Sequence, residues 1–228
     1  MVALHRPYVH VNVAMTADGK IDSVERAGAS ISSEPDRLRV DELRAKADAI
    51  LVGGRTLLRE DPKLTVRSAE RVAERVQRGL PAHPTKVGVV TVAAVGLDSQ
   101  FIQAGPARVV IFTTDRSSNE QLGGLRARNV ELNVHPGPRV DLPLMMEQLR
   151  GLGIERLLVE GGGSMIFALL ERGLVDEITT YVAPLIFGGA TAPTPADGGG
   201  LAAAAAIHLS LREAQRLGDG VVLRYGLK

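Results

Sequence analysis

The sequence of 228 residues contains no cysteine and no tryptophan, and aromatic residues make up only 3% of it. Without cysteine the chain can form no disulfide, no thiolate nucleophile and no cysteine-ligated metal site. The five histidines show no spacing that suits a zinc site, so we expect no bound metal. The scarcity of aromatic rings also argues against a surface that stacks single-stranded bases.

The chain also lacks an excess of either charge and any long apolar run. Its 27 basic and 26 acidic residues leave a formal net charge of +1, which gives no field to attract nucleic acid or a membrane surface. It has neither a signal-peptide pattern nor an apolar run long enough to span a bilayer, so we expect a cytoplasmic protein without nucleic-acid or membrane partners. The 45% hydrophobic content predicts a sizeable core, in a single domain spanning residues 1–228.

Apolar strands alternate with helical segments through most of the chain, which predicts an α/β fold. Strands are expected at 9–15, 49–52, 86–95, 108–113, 130–134 and 156–160, and helices at 33–47, from 55, at 119–128, 142–151 and 165–172. The charged stretch 68–78 is weakly helical in pattern and is interpreted as a solvated surface excursion.

The C-terminal part follows a different pattern, with three strands expected at 177–182, 206–211 and 221–225 and no helix between them. Gly218, Asp219 and Gly220 have the composition of a hairpin turn that links the last two strands. The expected fold is therefore a mostly parallel central sheet flanked by helices and finished by a C-terminal antiparallel hairpin.

One junction is typical of an anion site. The strand ending at Glu160 is followed by three glycines and a helix start, and the run reads Glu160, Gly161, Gly162, Gly163, Ser164 and Met165. Glycines let backbone N–H groups approach a phosphate, and the N-terminal end of a helix favours negative charge. The spacing is neither that of a Rossmann domain nor that of a P-loop, so a tight turn explains the run equally well by itself.

Three further clusters carry more polar groups than packing needs. A turn contains Thr16, Asp18 and Lys20; Arg44 lies in the last turn of the first helix; and Thr56 begins the helix that follows paired glycines. Thr56 is placed to offer its hydroxyl and N–H to an anionic ligand. The run 184–189, after a later strand, is placed to close the same crevice at the carboxyl edge of the sheet.

In order and spacing these clusters together resemble the reductase domain of the riboflavin pathway, the C-terminal half of bifunctional deaminase-reductases. The resemblance covers nearly the whole chain. It is carried by the Asp18-Gly19-Lys20 turn, by Leu43-Arg44-Ala45, by the segments 54–62 and 64–67, and by the glycine run with 169–177. It implies a dihydrofolate-reductase-like fold, a homodimer, NADPH as hydride donor, and reduction of the ribosylamino group of a phosphoribosylaminopyrimidine to ribitylamino.

The resemblance also implies roles for individual residues. The cofactor would contact Thr56, Glu60 or Asp61, Gly161, Gly162, Gly163, Ser164 and Met165, and the substrate would contact Thr16, Arg44, Leu64, Arg67 and Glu160. The arginines suit a 5′-phosphate. Asp18, Lys20 and Glu160 are the candidate proton donors, in no settled order.

Several alternatives stay open at the level of sequence. The family often has aspartate where this chain has Glu60 followed by Asp61, so either carboxylate could contact the cofactor. Arg116 is a candidate partner for a 2′-phosphate, although a plain surface arginine would look the same. The substrate could be a pterin or another heterocycle, or the chain could bind NADP without catalysis. The absence of cysteine excludes the zinc deaminase step of the bifunctional enzymes.

Overall fold

The computed structural model of the chain describes residues 5–228, and two compact units can be distinguished in it. The first consists mainly of residues 41–158, and the second of residues 8–40 and 159–228. Within the described residues the fold is a mostly parallel nine-stranded sheet with seven helices and a C-terminal antiparallel hairpin. This confirms the predicted α/β class and its mixed sheet, while the single domain stays a prediction.

The first unit contains strands in the spatial order β5-β4-β3-β2-β6. They are β2 (Ala49–Gly53), β3 (Thr85–Val89), β4 (Val109–Thr114), β5 (Glu131–His135) and most of β6 (Arg156–Val159). The pairs β2–β3, β3–β4 and β4–β5 are parallel. The helices are the second half of α1 (Glu34–Lys46), then α2 (Gly54–Glu60), α3 (Ala69–Gln77), α4 (Gln100–Gln103), α5 (Asn119–Ala127) and α6 (Leu142–Gly151). Ile50, Ile111 and Leu125 lie at the centre of its core.

The second unit contains strands in the order β1-β7-β9-β8. They are β1 (Tyr8–Thr16), β7 (Glu177–Ala183), β8 (Leu209–Leu217) and β9 (Gly220–Leu227), with helix α7 (Gly163–Glu171). β1 and β7 are parallel, and β9 is antiparallel to both β7 and β8. Gly220 is required for packing, because a Cβ there would lie 2.5 Å from the Tyr181 ring.

The charged stretch 68–78 forms helix α3, which agrees with its weakly helical pattern, but it is not wholly the solvated surface excursion that we expected. Arg75 on this helix is only 1% exposed. Its guanidinium donates to the carbonyls of Ala45 and Ala47, each at 2.8 Å, and of Pro81 at 2.9 Å. The buried cation thereby satisfies carbonyls at the end of α1 that would otherwise lack partners.

Two strand boundaries also differ from those predicted. β3 ends at Val89, well before residue 95, and the strand expected at 206–211 begins at Leu209 and continues to Leu217. The hairpin turn is confirmed, because only Gly218 and Asp219 separate β8 from β9. The four-residue helix α4 was too short to give a periodic signal in the sequence.

Candidate active site

The glycine run that follows β6 combines left-handed backbone with an uncapped helix start. Gly161 and Gly162 have φ values of 138° and 79°, which other residues rarely adopt. Among the described residues, helices α3 to α6 are each capped by a side chain, contributed by Ser68, Ser99, Ser118 and Asp141, whereas α7 has no side-chain cap. N–H groups in its first turn therefore suit an anionic ligand.

The members of the run have different roles. Gly163 is needed for packing, since a Cβ there would lie 2.3 Å from the Thr194 carbonyl oxygen. The N–H of Met165 donates to the Gly162 carbonyl at 2.8 Å and is thus used within the turn. Ser164 is exposed and Glu160 is half-buried just beyond β6. The strongest ligand candidates are therefore the backbone around Gly161 and Gly162, with Ser164.

The first turn, which follows β1, is organised around the buried hydroxyl of Thr16. This hydroxyl donates to an Asp18 carboxylate oxygen at 2.6 Å and accepts the N–H of Lys20 at 2.9 Å. The N–H of Thr16 also donates to the Lys20 carbonyl at 2.8 Å. The backbone at Lys20 is consequently fixed relative to the end of β1.

Asp18 accepts three hydrogen bonds, which bears on its candidacy as a proton donor. Besides Thr16, the N–H groups of Gly188 and Phe187 donate to it at 2.7 Å and 3.3 Å. The Thr16 hydroxyl and these N–H groups lower the pKa of the Asp18 carboxyl. An ionised carboxylate is a poor acid, so Asp18 is a weak proton-donor candidate, and Lys20 and Glu160 stay as the other two candidates in this unit.

Asp61, in the first unit, accepts hydrogen bonds from the backbone of another segment. Its carboxylate accepts the N–H groups of Gln100 at 2.8 Å and Phe101 at 2.9 Å, which caps helix α4. Its own backbone is left-handed, with φ 44°, at the end of α2. Glu60, by contrast, is exposed on the last residue of α2. Of the two acids, Glu60 is the exposed one, whereas the Asp61 carboxylate is used as a helix cap.

Leu64 and Arg44 shape the segment that follows α2. Leu64 is 1% exposed and belongs to the core, while its φ of 48° is unusual for a leucine. Its side chain is used in packing, so its backbone is the part suited to contact a ligand. The Arg44 guanidinium donates to the Thr65 carbonyl at 3.1 Å, which brings this arginine against the same segment.

Asp41 is a residue that the sequence prediction missed. It is 4% exposed, and its carboxylate accepts the N–H groups of Arg67 at 2.6 Å and Ser68 at 3.1 Å, with Arg71 Nη1 also at 3.1 Å. Burial alone would raise the pKa of Asp41, but these donors lower it overall. The spacing of three residues between Asp41 and Arg44 on one helix was a usable signal, since both then share a face.

The guanidinium of Arg67 is exposed, although its backbone is held by Asp41. Within residues 5–228 it makes no hydrogen bond or ion pair, so it is available to an anionic ligand. Thr56 is 7% exposed near the start of α2, a helix that also lacks a side-chain cap at Gly53. A fixed arginine backbone with an accessible guanidinium is a suitable arrangement for a phosphate.

The predicted site residues thus form two sets, one in each compact unit. The first unit holds Arg44, Thr56, Glu60, Asp61, Leu64 and Arg67, and the second holds Thr16, Asp18, Lys20 and residues 160–165. In the part of the chain that the structure describes, no group of three acidic or histidine side chains is arranged to hold a metal ion. No helix among residues 5–228 has the length and apolarity that a bilayer crossing requires.

Comparison with known proteins gives a consistent result. Residues 7–223 match the RibD C-terminal domain. The chain is 40% identical over 224 residues to the 2,5-diamino-6-ribosylamino-4(3H)-pyrimidinone 5′-phosphate reductase of Methanothermobacter thermautotrophicus, covering 98% of this chain and 99% of that protein. It is also 40% identical over 193 residues to the reductase of the same name from Archaeoglobus fulgidus, covering 85% and 87%.

A solved structure supports the fold independently. A pyrimidine reductase-like protein of Corynebacterium diphtheriae superimposes with a TM-score of 0.78, covering 97% of this chain and 92% of that one, at 19% identity. At that identity the likeness concerns the fold alone. The family match, by contrast, extends over almost the whole sequence, and the chain therefore belongs to the RibD C-terminal domain family.

Proposed function

We propose that this protein is an NADPH-dependent pyrimidine reductase of riboflavin biosynthesis. It would reduce the ribosylamino group of a 5′-phosphorylated pyrimidine to ribitylamino. The observation that carries the proposal is the 40% identity, over 98% of the chain, to a reductase named for this substrate. The side chains expected for the activity are present in both compact units.

The substrate we propose is the diamino pyrimidinone, the compound that has not been deaminated. Both archaeal relatives at 40% identity are named for that compound. The lack of cysteine in this chain is consistent with an enzyme that has no zinc deaminase activity of its own. Arg67, and Arg44 on the neighbouring helix, suit the 5′-phosphate.

The residues around the glycine run fit a dinucleotide cofactor. Gly161 and Gly162 have positive φ values that favour glycine, and the uncapped start of α7 suits a pyrophosphate. When bound, the cofactor would supply the hydride that the reduction consumes. NADPH is proposed rather than NADH on the family resemblance, with exposed Arg116 just after β4 as the candidate 2′-phosphate partner.

The chemistry requires one hydride and one proton overall. Opening of the sugar ring breaks the C1′–O4′ bond, converts the exocyclic nitrogen and C1′ to an imine, and moves a proton from nitrogen to O4′. Hydride addition at C1′ and protonation of the nitrogen then complete the ribitylamino group. Lys20 and Glu160 are the groups we propose for proton transfer, since Asp18 is held as a carboxylate.

We also propose that the protein acts as a homodimer. Strand β8 lies at the end of the strand order in its unit, and Leu211 on it is 58% exposed. An edge strand leaves backbone N–H and C=O groups unpaired, and together with the exposed Leu211 this favours pairing with a second chain. Light scattering after size exclusion should give about twice the chain mass of 24.2 kDa. A monomeric mass at micromolar concentration would refute the dimer without affecting the catalytic proposal.

The catalytic proposal is tested by following NADPH oxidation with the diamino pyrimidinone phosphate and with its deaminated counterpart. We expect turnover with the first and a much lower kcat/KM with the second.

Arg67→Ala should lower kcat/KM by about 10- to 100-fold, the range for loss of a charge-assisted hydrogen bond to phosphate. Arg126→Ala, which removes an exposed arginine on α5, is the matched control. Equal effects of the two changes would contradict a phosphate role for Arg67.

A further inference from the structure

The first turn and the loop that follows β7 are joined by a series of hydrogen bonds. We call residues 184–200 the β7 loop. The N–H of Ala17 donates to the Leu185 carbonyl at 2.8 Å, and the N–H of Ile21 donates to the Pro193 carbonyl at 2.9 Å. These bonds lie at the carboxyl ends of β1 and β7, the edge at which ligands bind in open α/β folds.

The Asp18 side chain forms hydrogen bonds with both the first turn and the β7 loop. Its carboxylate accepts the Gly188 and Phe187 N–H groups from the β7 loop and the Thr16 hydroxyl from the first turn. Because the Thr16 hydroxyl proton is directed to Asp18, an oxygen lone pair is left to accept the Lys20 N–H. The orientation of one hydroxyl therefore links the carboxylate to the backbone of Lys20.

The far end of the β7 loop contacts the glycine run. The Thr194 carbonyl lies against Gly163, where no Cβ would fit. Thr194 is itself held by Asp197, which accepts both its N–H, at 3.0 Å, and its hydroxyl, at 2.7 Å. Within the second unit, one continuous series of contacts thus extends from the first turn through the β7 loop to the start of α7.

We propose that Asp18 is a positioning residue, whose carboxylate fixes both the Lys20 backbone and the β7 loop, and that it takes no part in proton transfer. The inference deepens the proposed function, since Lys20 and the α7 start are two of its parts. Asp18, one of the three proton donors expected from the sequence, then acts indirectly. The Thr16 hydroxyl is then a required intermediary between the two residues.

The test is a double-mutant cycle on kcat with Asp18→Ala, Thr16→Val and the combined variant. Each single change should lower kcat by about 30-fold, and the double variant should be no worse than either single one, since both break the same link. Thr16→Ser keeps the hydroxyl and should stay within about threefold of the wild type. The pH profile of kcat in Asp18→Ala should keep both limbs, because the proton donor is intact.

Asp48 provides a matched control. Its carboxylate also accepts two consecutive backbone N–H groups, those of Glu155 and Arg156 at 2.9 Å and 2.8 Å, but it directly precedes the amino end of β2. Asp48→Ala should lower the melting temperature and leave kcat unchanged. An equal loss of kcat in Asp48→Ala and Asp18→Ala would overturn the positioning role, as would multiplicative effects of the Thr16 and Asp18 changes or the loss of a pH limb.

Hydrogen exchange gives a readout that does not depend on turnover. The Gly188 amide should exchange at least about tenfold faster in Asp18→Ala than in the wild type, because its acceptor is removed. Unchanged exchange at Gly188 would refute the proposal that Asp18 holds the β7 loop, even if the wild-type protein proved inactive. An inactive wild type with faster Gly188 exchange would contradict the proposed function alone, so the two failures are distinguishable.

Discussion

Lys86 offers a quantitative test of how the first unit holds the segment after α2. This lysine lies on β3 and is fully buried. Its ammonium group donates to the carbonyls of Phe101, at 2.9 Å, and Ala104, which lie near the end of α4. Asp61 caps the start of the same short helix, so side-chain hydrogen bonds hold both ends of α4. Through Asp61, the end of α2 is joined to α4, which Lys86 in turn holds against β3.

Burial lowers the pKa of Lys86 from 10.5 to about 8, with a partial opposing effect of the Asp61 charge. Between pH 8 and 10.5 the folded protein has released this proton while the unfolded chain still holds it. The unfolded state then binds more protons, so this lysine makes the free energy of unfolding rise with pH over that window. A pKa difference of this size corresponds to about 3 kcal/mol when fully developed.

Lys86→Met removes the titrating group and keeps a side chain of similar length. Urea unfolding of both proteins from pH 7 to pH 10 gives the difference in free energy at each pH. We expect the wild type to gain about 2 kcal/mol relative to Lys86→Met over this range, on top of a constant offset from two carbonyls left without a donor. Lys63→Met, at an exposed position, supplies the baseline for loss of a lysine. A pH-independent difference for Lys86 would refute the reasoning.

Three single substitutions test other parts of the structure. Asp41→Asn should destabilise by about 1–3 kcal/mol at pH 7. Because the folded pKa of Asp41 is lowered, its contribution is fully present above the unfolded pKa and is lost as pH falls through the folded pKa, so the penalty measured by urea unfolding should shrink at pH 3. Gly162→Ala, at φ 79°, should cost about 1–2 kcal/mol and weaken NADPH binding measured by fluorescence titration, whereas an unchanged Kd would contradict the cofactor role. Glu160→Ala should reduce kcat/KM for the pyrimidine far more than NADPH affinity, and the reverse pattern would move this acid to the cofactor side.

The features that the sequence predicted correctly are those with local causes. The two-residue turn at Gly218 and Asp219 follows from residues that accept left-handed backbone, and it sets the register of β8 and β9 as far as the irregularity between Leu211 and Glu213. The glycine run was recognisable because Gly161 and Gly162 allow a backbone that other residues disfavour. Such requirements depend on neighbours in the chain, so they can be read without the fold.

The features that the sequence left open depend on distant contacts. The question of Glu60 or Asp61 could not be settled, because the amide that occupies Asp61 belongs to Gln100, 39 residues later. The same is true of Asp18, whose partner Gly188 is 170 residues away. Its polar turn predicted involvement in chemistry, whereas the structure shows the carboxylate engaged by donors of the chain itself.

Arg75 illustrates a third kind of limit. Its guanidinium is buried against three carbonyls and, within residues 5–228, forms no hydrogen bond to a carboxylate. A charged helical stretch normally predicts solvent exposure, and only the position of the end of α1 makes burial favourable. Nothing in the order of residues 68–78 indicates that position.

The most direct test of the proposed reaction is to follow the transferred hydrogen. The wild-type protein is incubated with the diamino pyrimidinone phosphate and NADPH carrying two deuteriums at C4 of the nicotinamide, and the product is examined by mass spectrometry. We expect one deuterium in the product, at the ribityl carbon bonded to nitrogen, with one NADPH consumed per product formed. Absence of turnover, or a product whose ribityl chain lacks the label, would contradict the assignment.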